Sequence, residues 1–350
     1  MPASAADVIK PAFEHMKQQL FRRPFQLTQW IKIGLVGALA GEITSAGGGQ
    51  GLGFRMPGRF PGSNRPDQFL AQGVLAGKGI LLVIGIALLA VVALSLFFIL
   101  LYVSSMMRFV LFDSVVTKEC HVRRYWSQRR QQGFRYFIFQ LLFGLIMLLA
   151  MGLLVGTTAA IGFASGWFRN PREHLLPLIL GGIVVVLVFA AIVIAAMVIV
   201  VLTKDFVVPQ MALEDVSIGD GWNRLWAMLK AEKISYLAYV GMKILLAILN
   251  GIVMGIIFIA VALVLLIPLG LIALIAVFVG KAIGLTWNVV TIAIAIIAGC
   301  IAVLALIFGI ITLSAPAVVF FPAYSIYFFA ERYAPLHRLI YPPPPEPATP

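Results

Sequence analysis

The sequence predicts an all-α, polytopic transmembrane helical bundle of about six spans, and three observations predict it. Hydrophobic residues make up 61% of the 350 residues and charged ones only 11%, where a soluble domain would carry about 25% charge. Mean hydropathy is +1.02. The charges are also segregated: residues 79–107, 136–168, 175–203, 244–280 and 282–330 contain no Asp, Glu, Lys or Arg. Each run exceeds the roughly 20 residues that cross about 30 Å of hydrocarbon as a helix.

Residues 1–29 read as a cytoplasmic amphipathic segment with Phe13, Met16 and Leu20 on one side. Lys10, Lys17, Arg22 and Arg23 occur there without an apolar core of signal-peptide length, so no cleaved secretory signal is expected. Spans are expected at 30–45, 79–103, 136–162, 176–202, 236–266 and 287–313, within a bundle covering 30–333. The first is the shortest. It carries Lys32, close enough to an end to snorkel, and Glu42 near the other end. The stretch Gly47-Gly-Gly-Gln-Gly-Leu-Gly-Phe follows it. Lacking a preceding strand and the Lys and Ser/Thr of a P-loop, that stretch reads as a flexible linker. Pro268 with Gly270, and later Pro316 with Pro322, interrupt the last two apolar stretches, which leaves re-entrant turns or additional spans open. The Pro-rich tail, 334–350, is expected to be extended and disordered.

Lys and Arg number 18 on one side of this six-span arrangement and 7 on the other, with Lys243 inside a span. The bias places both termini in the cytoplasm. The net charge of +12 is spread over loops beside apolar runs rather than gathered on one soluble domain. That pattern points to anionic lipid headgroups as partners rather than nucleic acid, and leaves protein partners open.

Self-similarity at a period near one hundred residues suggests three repeated helical hairpins, approximately 12–120, 121–216 and 217–333. Each unit has a basic amphipathic segment, an aromatic lead-in, a span, a loop and a second span. The lead-ins are Phe25 and Trp30; Phe134, Tyr136 and Phe139; Tyr236 and Tyr239. The exits are Arg108-Phe-Val-Leu-Phe, Asp205-Phe-Val-Val-Pro and Ala317-Val-Val-Phe-Phe-Pro. Before the fifth span, Ser217 and Asp220 form a capping-box pattern, and Trp222, Leu225, Trp226 and Leu229 recur at helical spacing. Trp222, Trp226, Arg224 and Lys230 are therefore candidates for the lipid interface. An ordinary face packed on neighbouring loops is the alternative.

The connector Phe206-Val-Val-Pro-Gln-Met-Ala-Leu-Glu-Asp-Val-Ser-Ile-Gly-Asp-Gly-Trp-Asn-Arg-Leu-Trp resembles the one in bacterial multipass proteins related to the membrane domain of glycerophosphoryl diester phosphodiesterases. The opening Leu20-Phe-Arg-Arg-Pro-Phe-Gln-Leu-Thr-Gln-Trp is similar to uncharacterised relatives of that group. The resemblance implies an inner-membrane protein. It brings no catalytic residues, because the phosphodiesterase active site of that group belongs to a separate soluble barrel.

Nothing in the chain nominates an enzyme or a cofactor. His15, His121, His174 and His337 share no ligand spacing, which disfavours a metal site, and Cys120 and Cys300 read as free thiols. No nucleophile elbow or HExxH helix is present. The candidate intramembrane polar site is Glu42, Lys243 and Asn250, because polar groups in hydrocarbon need partners or water. Lys243 and Asn250 are seven residues apart and so share a helix face. Small-residue pairs such as Gly37 with Gly41 and Gly152 with Gly156 would allow close helix approach. The expected role is a non-enzymatic membrane scaffold or accessory factor that contacts anionic lipid. A small-solute or lipid transporter or channel is the alternative.

Overall fold

A computed structural model describes residues 4–21, 26–42, 78–167, 174–282, 284 and 289–342. The glycine-rich linker and the far end of the Pro-rich tail lie outside them. The described residues are helical and contain no strand. In order they form α1 (Ile9–Leu20), α2 (Leu27–Leu39), α3 (Lys78–Thr117), α4 (Val122–Gln128), α5 (Arg130–Ala164), α6 (Leu175–Leu202), a π-helical turn (Thr203–Val207), α7 (Val208–Glu214), α8 (Ile218–Ala231), α9 (Lys233–Ala282), α10 (Val289–Leu313), α11 (Ala315–Ala330) and α12 (Ala334–Ile340).

Five stretches among the described residues are long and apolar enough to cross a membrane: α3 from Val83, α5, α6 continued through α7, α9, and α10 continued through α11. The expected first span corresponds to α2, whose 13 residues extend only about 20 Å at 1.5 Å per residue. Pro268 does not interrupt α9, which runs as one helix of 50 residues. Pro316 falls in the first turn of α11, where its missing N–H costs nothing, and the helix restarts there after a one-residue turn at Ser314. Residues 334–340, expected to belong to a disordered tail, instead form α12, which buries Leu336. The burial of Leu336 and the contacts of α12 with α11 and α7 give this segment a surface to fold against.

The apolar arms of these helices are bare. Leu89, Leu148, Leu176 and Val264 are each about 70% exposed, and so, in lesser degree, are their apolar neighbours along α3, α5, α6, α9 and α10. Burial concentrates at the end where the charges lie. There the three exit motifs meet: Phe109 and Val110, Phe206 and Val207, and Val318 and Val319 are all fully buried in one core, with Tyr136, Tyr236 and Tyr239 from the lead-ins. Phe206 sits between Tyr236, Tyr239 and Phe329, with ring centroids 5.1–5.3 Å apart, in tilted and edge-on arrangements that suit aromatic quadrupoles. The molecule is thus a packed hub carrying bare apolar arms.

α1 closes the hub by lying against α11. It also caps α3, whose last carbonyls have no partner within their own helix. Gln19 donates to Ser114 O at 2.8 Å, His15 Nε2 to Val115 O at 2.8 Å, and Gln29 of α2 to Lys118 O at 2.9 Å. A carbonyl only accepts, so His15 Nε2 carries the proton and Nδ1 accepts from the Tyr327 hydroxyl at 3.1 Å. Burial, first, and then the nearby Lys118 charge push the His15 pKa down to about 4, which keeps this latch neutral at physiological pH.

Of the small residues expected to bring helices together, the hub uses Gly37, and it uses Gly34 as well. A Cβ on Gly37 would strike the Val318 side chain, and one on Gly34 would strike the Ile311 carbonyl oxygen, a backbone atom that cannot swing aside. Gly41 has no such neighbour and instead adopts φ +76°, ending the α2 segment, while Gly152 and Gly156 face open space on an arm. Gly34→Val should therefore lower stability by about 1–3 kcal/mol, the cost of overpacking, whereas Gly152→Val should leave it unchanged. Thermal unfolding of the two variants in detergent separates them.

Candidate functional site

Five charged side chains meet in the hub, at the inner ends of the apolar arms. Glu42 follows the carboxyl end of α2 and is 2% exposed. Arg108 approaches it from α3, with Nη1 3.3 Å from Oε1, while its Nη2 donates to Ala40 O at 2.5 Å. Lys204, from the π-helical turn, makes an ion pair with the other Glu42 oxygen. The next residue in that turn, Asp205, pairs with Lys243 of α9. Tyr239 donates to Asp205 at 2.9 Å and stands 2.7 Å from the Ser325 hydroxyl of α11, which Lys243 also reaches at 3.3 Å. All five charged groups are at least nine-tenths buried.

Local sequence explains why these groups can converge. Pro209 has no N–H to give to the carbonyl four residues earlier, that of Asp205, so the regular ladder cannot continue through this segment. The chain widens into a π turn at Thr203–Val207. Single π turns inside α-helices are rare and frequent at functional positions. Here the turn aims consecutive residues at different partners, Lys204 at Glu42 and Asp205 at Lys243. On α9, Tyr236, Tyr239 and Lys243 fall at i, i+3 and i+7, one helical face, and are that helix's buried residues.

Electrostatics dictates the composition. A lone cation in this environment would cost several kcal/mol, and each is tolerable only with a carboxylate at contact distance. Three cations face two carboxylates. Arg108 stacks its guanidinium 5.9 Å from the Tyr136 ring centre, and Lys243 holds its ammonium 5.7 Å from that of Tyr239, so ring faces supply further negative potential. Arg108 Nε is buried without a hydrogen-bond partner. Between Glu42, Arg108, Lys204, Asp205 and Ser325 lies a cavity of about 30 Å³, bounded also by Pro209 and Pro322, room for about one water molecule.

A second pair ties helices together nearer the surface. Arg129 grips Asp113 with two parallel bonds, 2.8 and 3.0 Å long, and also donates to Ala212 O on α7. The fork geometry makes this a strong tie between α3, α7 and the segment joining α4 to α5.

The expected site residues divide. Glu42 and Lys243 both belong to the cluster, though not as direct partners: Glu42 takes Arg108 and Lys204, and Lys243 takes Asp205. Asn250 is half-buried two turns beyond Lys243 on α9, outside the contacts that build the cluster. Arg108, Lys204, Asp205, Tyr239 and Ser325 were missed as site residues. Arg108 and Lys204 read as loop cations because they close uncharged runs. The signal for Arg108 and Asp205 was that a charged residue opens two of the three exit motifs.

On α8 Ser217 is the N-cap, its Oγ accepting from Asp220 N at 3.2 Å and donating to Asp220 Oδ2 at 2.7 Å. The apolar stripe, however, is shared between two environments. Leu225 is fully buried and Trp222 packs against the core, whereas Trp226 is 57% exposed with the Lys230 ammonium 5.7 Å from its ring centre. Arg224 is exposed and paired with Glu214.

Comparison with protein families matches residues 3–339 to a family described as a family of unknown function, DUF7544. The chain belongs to this family. Comparison with curated proteins and with solved structures returns no match. The family match lends nothing to the likeness with the membrane domain of glycerophosphoryl diester phosphodiesterases.

Removing one partner of a buried pair leaves the other charge uncompensated. Asp205→Asn alone should cost about 3–5 kcal/mol of stability. The double variant Asp205→Asn with Lys243→Met should recover a large part of that loss, giving a favourable coupling energy in the cycle. Denaturation of the four proteins in one detergent measures it, and additive effects would exclude the pairing.

Proposed function

We propose that this protein is a non-enzymatic integral membrane scaffold or accessory factor of a bacterial inner membrane, with both termini cytoplasmic. Its basic hub lies at the inner surface against anionic lipid. The observation that carries the reading is the division of the molecule: every buried charge of the hub cluster is engaged with the others, while the arms offer long apolar surfaces. A charge cluster closed on itself organises structure, and bare apolar helices are surfaces for lipid and for the helices of partner proteins. Within this reading the chain has six spans, α2 being the short first one, arranged as three repeated hairpins with interfacial amphipathic helices. The likeness of the 206–226 connector to the phosphodiesterase membrane domain points the same way, since catalysis in that group belongs to a separate soluble barrel.

On α8, Trp226 and Lys230 sit at the headgroup level, with Trp222 and Arg224 beside them, the indoles in the acyl boundary and the cations among phosphates. Trp222→Ala with Trp226→Ala should then weaken recovery of co-purifying anionic lipid or of crosslinked partner proteins from native membrane. Unchanged recovery of both would count against the scaffold reading.

A transporter is the second reading, favoured by the water-sized cavity among buried charges. It requires aqueous access along the α9 face. Single cysteines Lys243→Cys, Ala247→Cys and Asn250→Cys should stay unreactive toward a membrane-impermeant thiol reagent if the hub is a structural clamp. Labelling at all three would move the assignment to transport.

A further inference from the structure

One basic surface of the hub has no structural task. Where α3 ends, Lys118 takes the left-handed conformation, φ +59°, a position usually left to Gly or Asn. The reversal carries the chain across the start of α2 and leaves a groove of about 590 Å³ lined by Lys32, Lys118, Gln18, Gln19 and Gln29. A second groove of about 610 Å³ adjoins it, sharing Lys32, Cys120 and His121, and is lined by Val122, Arg123 and Arg124.

The charge balance of this double groove is one-sided. Lys32, Lys118, Arg123 and Arg124 face a single lining carboxylate, Glu119, whose oxygen lies 3.6 Å from His121. None of the four cations makes an ion pair with a carboxylate among the described residues; Lys118 donates instead to the neutral Gln18 amide at 2.8 Å. The carbonyls of Ser114 and Lys118, which would oppose an anion, are already occupied by Gln19 and Gln29. Donating its amide hydrogen to Ser114 fixes the Gln19 side chain, and its Oε1 is left a buried acceptor with no donor. Apolar side chains flank the groove: Leu27 and Phe21 are each more than half exposed, and Phe21 meets Trp30 edge-on at 5.3 Å. Cations, an amide floor and an apolar margin at the inner end of two membrane helices match the junction of a phospholipid's headgroup with its chains.

We propose that this double groove seats the phosphate headgroup of one anionic phospholipid, with Lys32, Arg123 and Arg124 as its main cations. The proposal rests on the lipid-contacting reading above and gives it a defined site, separate from α8.

The test uses the full chain in mixed micelles containing phosphatidylglycerol or phosphatidylcholine, with bound lipid counted by native mass spectrometry. The wild type should retain phosphatidylglycerol over phosphatidylcholine. The exposed-site variant Lys32→Gln/Arg123→Gln/Arg124→Gln should weaken that retention by roughly a hundredfold, the sum expected for three interfacial cations. The control Lys233→Gln/Arg338→Gln, two exposed cations outside both the groove and α8, should keep it. If the wild type prefers phosphatidylglycerol and the triple variant retains it equally, the groove is not the site although the lipid reading stands. If the wild type shows no preference, both fall. Displacement of the lipid by an equal concentration of inorganic phosphate would mean that the groove takes soluble phosphate, overturning the lipid assignment. Melting temperatures within a degree or two among the three proteins exclude misfolding as the cause.

Discussion

The ion cluster joining Glu42, Arg108, Lys204, Asp205 and Lys243 is the constraint on which the rest of this structure depends. A soluble protein hides apolar surface and can leave its charges anywhere in water. Here long apolar helices are bare and charged groups are inside, the arrangement expected when the solvent is hydrocarbon. Helices in lipid gain little by burying leucine against leucine, because lipid tails are equally apolar. Something else must hold the inner ends together. Ion pairs, shared hydroxyls, close glycine contacts and aromatic rings do so, and they are found where the helices converge.

The cluster also explains why the contacts of the hub are non-local. Glu42 comes from the first third of the chain, Arg108 from the exit of α3, Lys204 and Asp205 from the exit of α6, Lys243 from the start of α9, and Ser325 from α11. No two consecutive elements could satisfy these charges alone. Assembly of the hub therefore requires all of these helices to be present, and an intermediate lacking α9 would bury Asp205 without its cation. The Arg129 fork to Asp113 and Ala212 repeats the principle at the surface, tying the first exit to the second.

Composition and charge segregation made the membrane class legible, and the uncharged runs fall on the five long helices, although α3 ends at Thr117 and α9 at Ala282, well past the expected span ends at 103 and 266. The three exit motifs were visible as similar strings, and the structure places their Phe and Val residues in one core. What the linear pattern could not carry was partnership. Lys204 and Asp205 look like a cytoplasmic lead-out after an uncharged run; only the π turn forced by Pro209 separates their directions and turns both inward. Glu42 and Lys243 were recognisable as costly residues in an apolar setting, yet the nearest available opposite charge in sequence was not the one each uses in space. Asn250 carried the same signal as Lys243 and lies beyond the cluster, because sharing a helix face does not set depth along it. The α8 stripe shows a related limit: helical spacing brings Trp222, Leu225 and Trp226 to one side, but a stripe this wide curves around the helix, so its middle meets protein and its edge does not.

The two basic regions of the molecule differ in how their charge is used, and that difference separates structure from recognition. Inside the hub, every cation has a carboxylate at contact distance, and replacing one would be felt as lost stability. Around the groove at the α3 terminus, four cations stand with one carboxylate, at a turn whose own backbone demands are met by Gln19 and Gln29. Folding does not require that excess, since exposed like charges repel and contribute little to the native state. Charge that a fold does not need, gathered beside an apolar margin, is what the proposed lipid site would use.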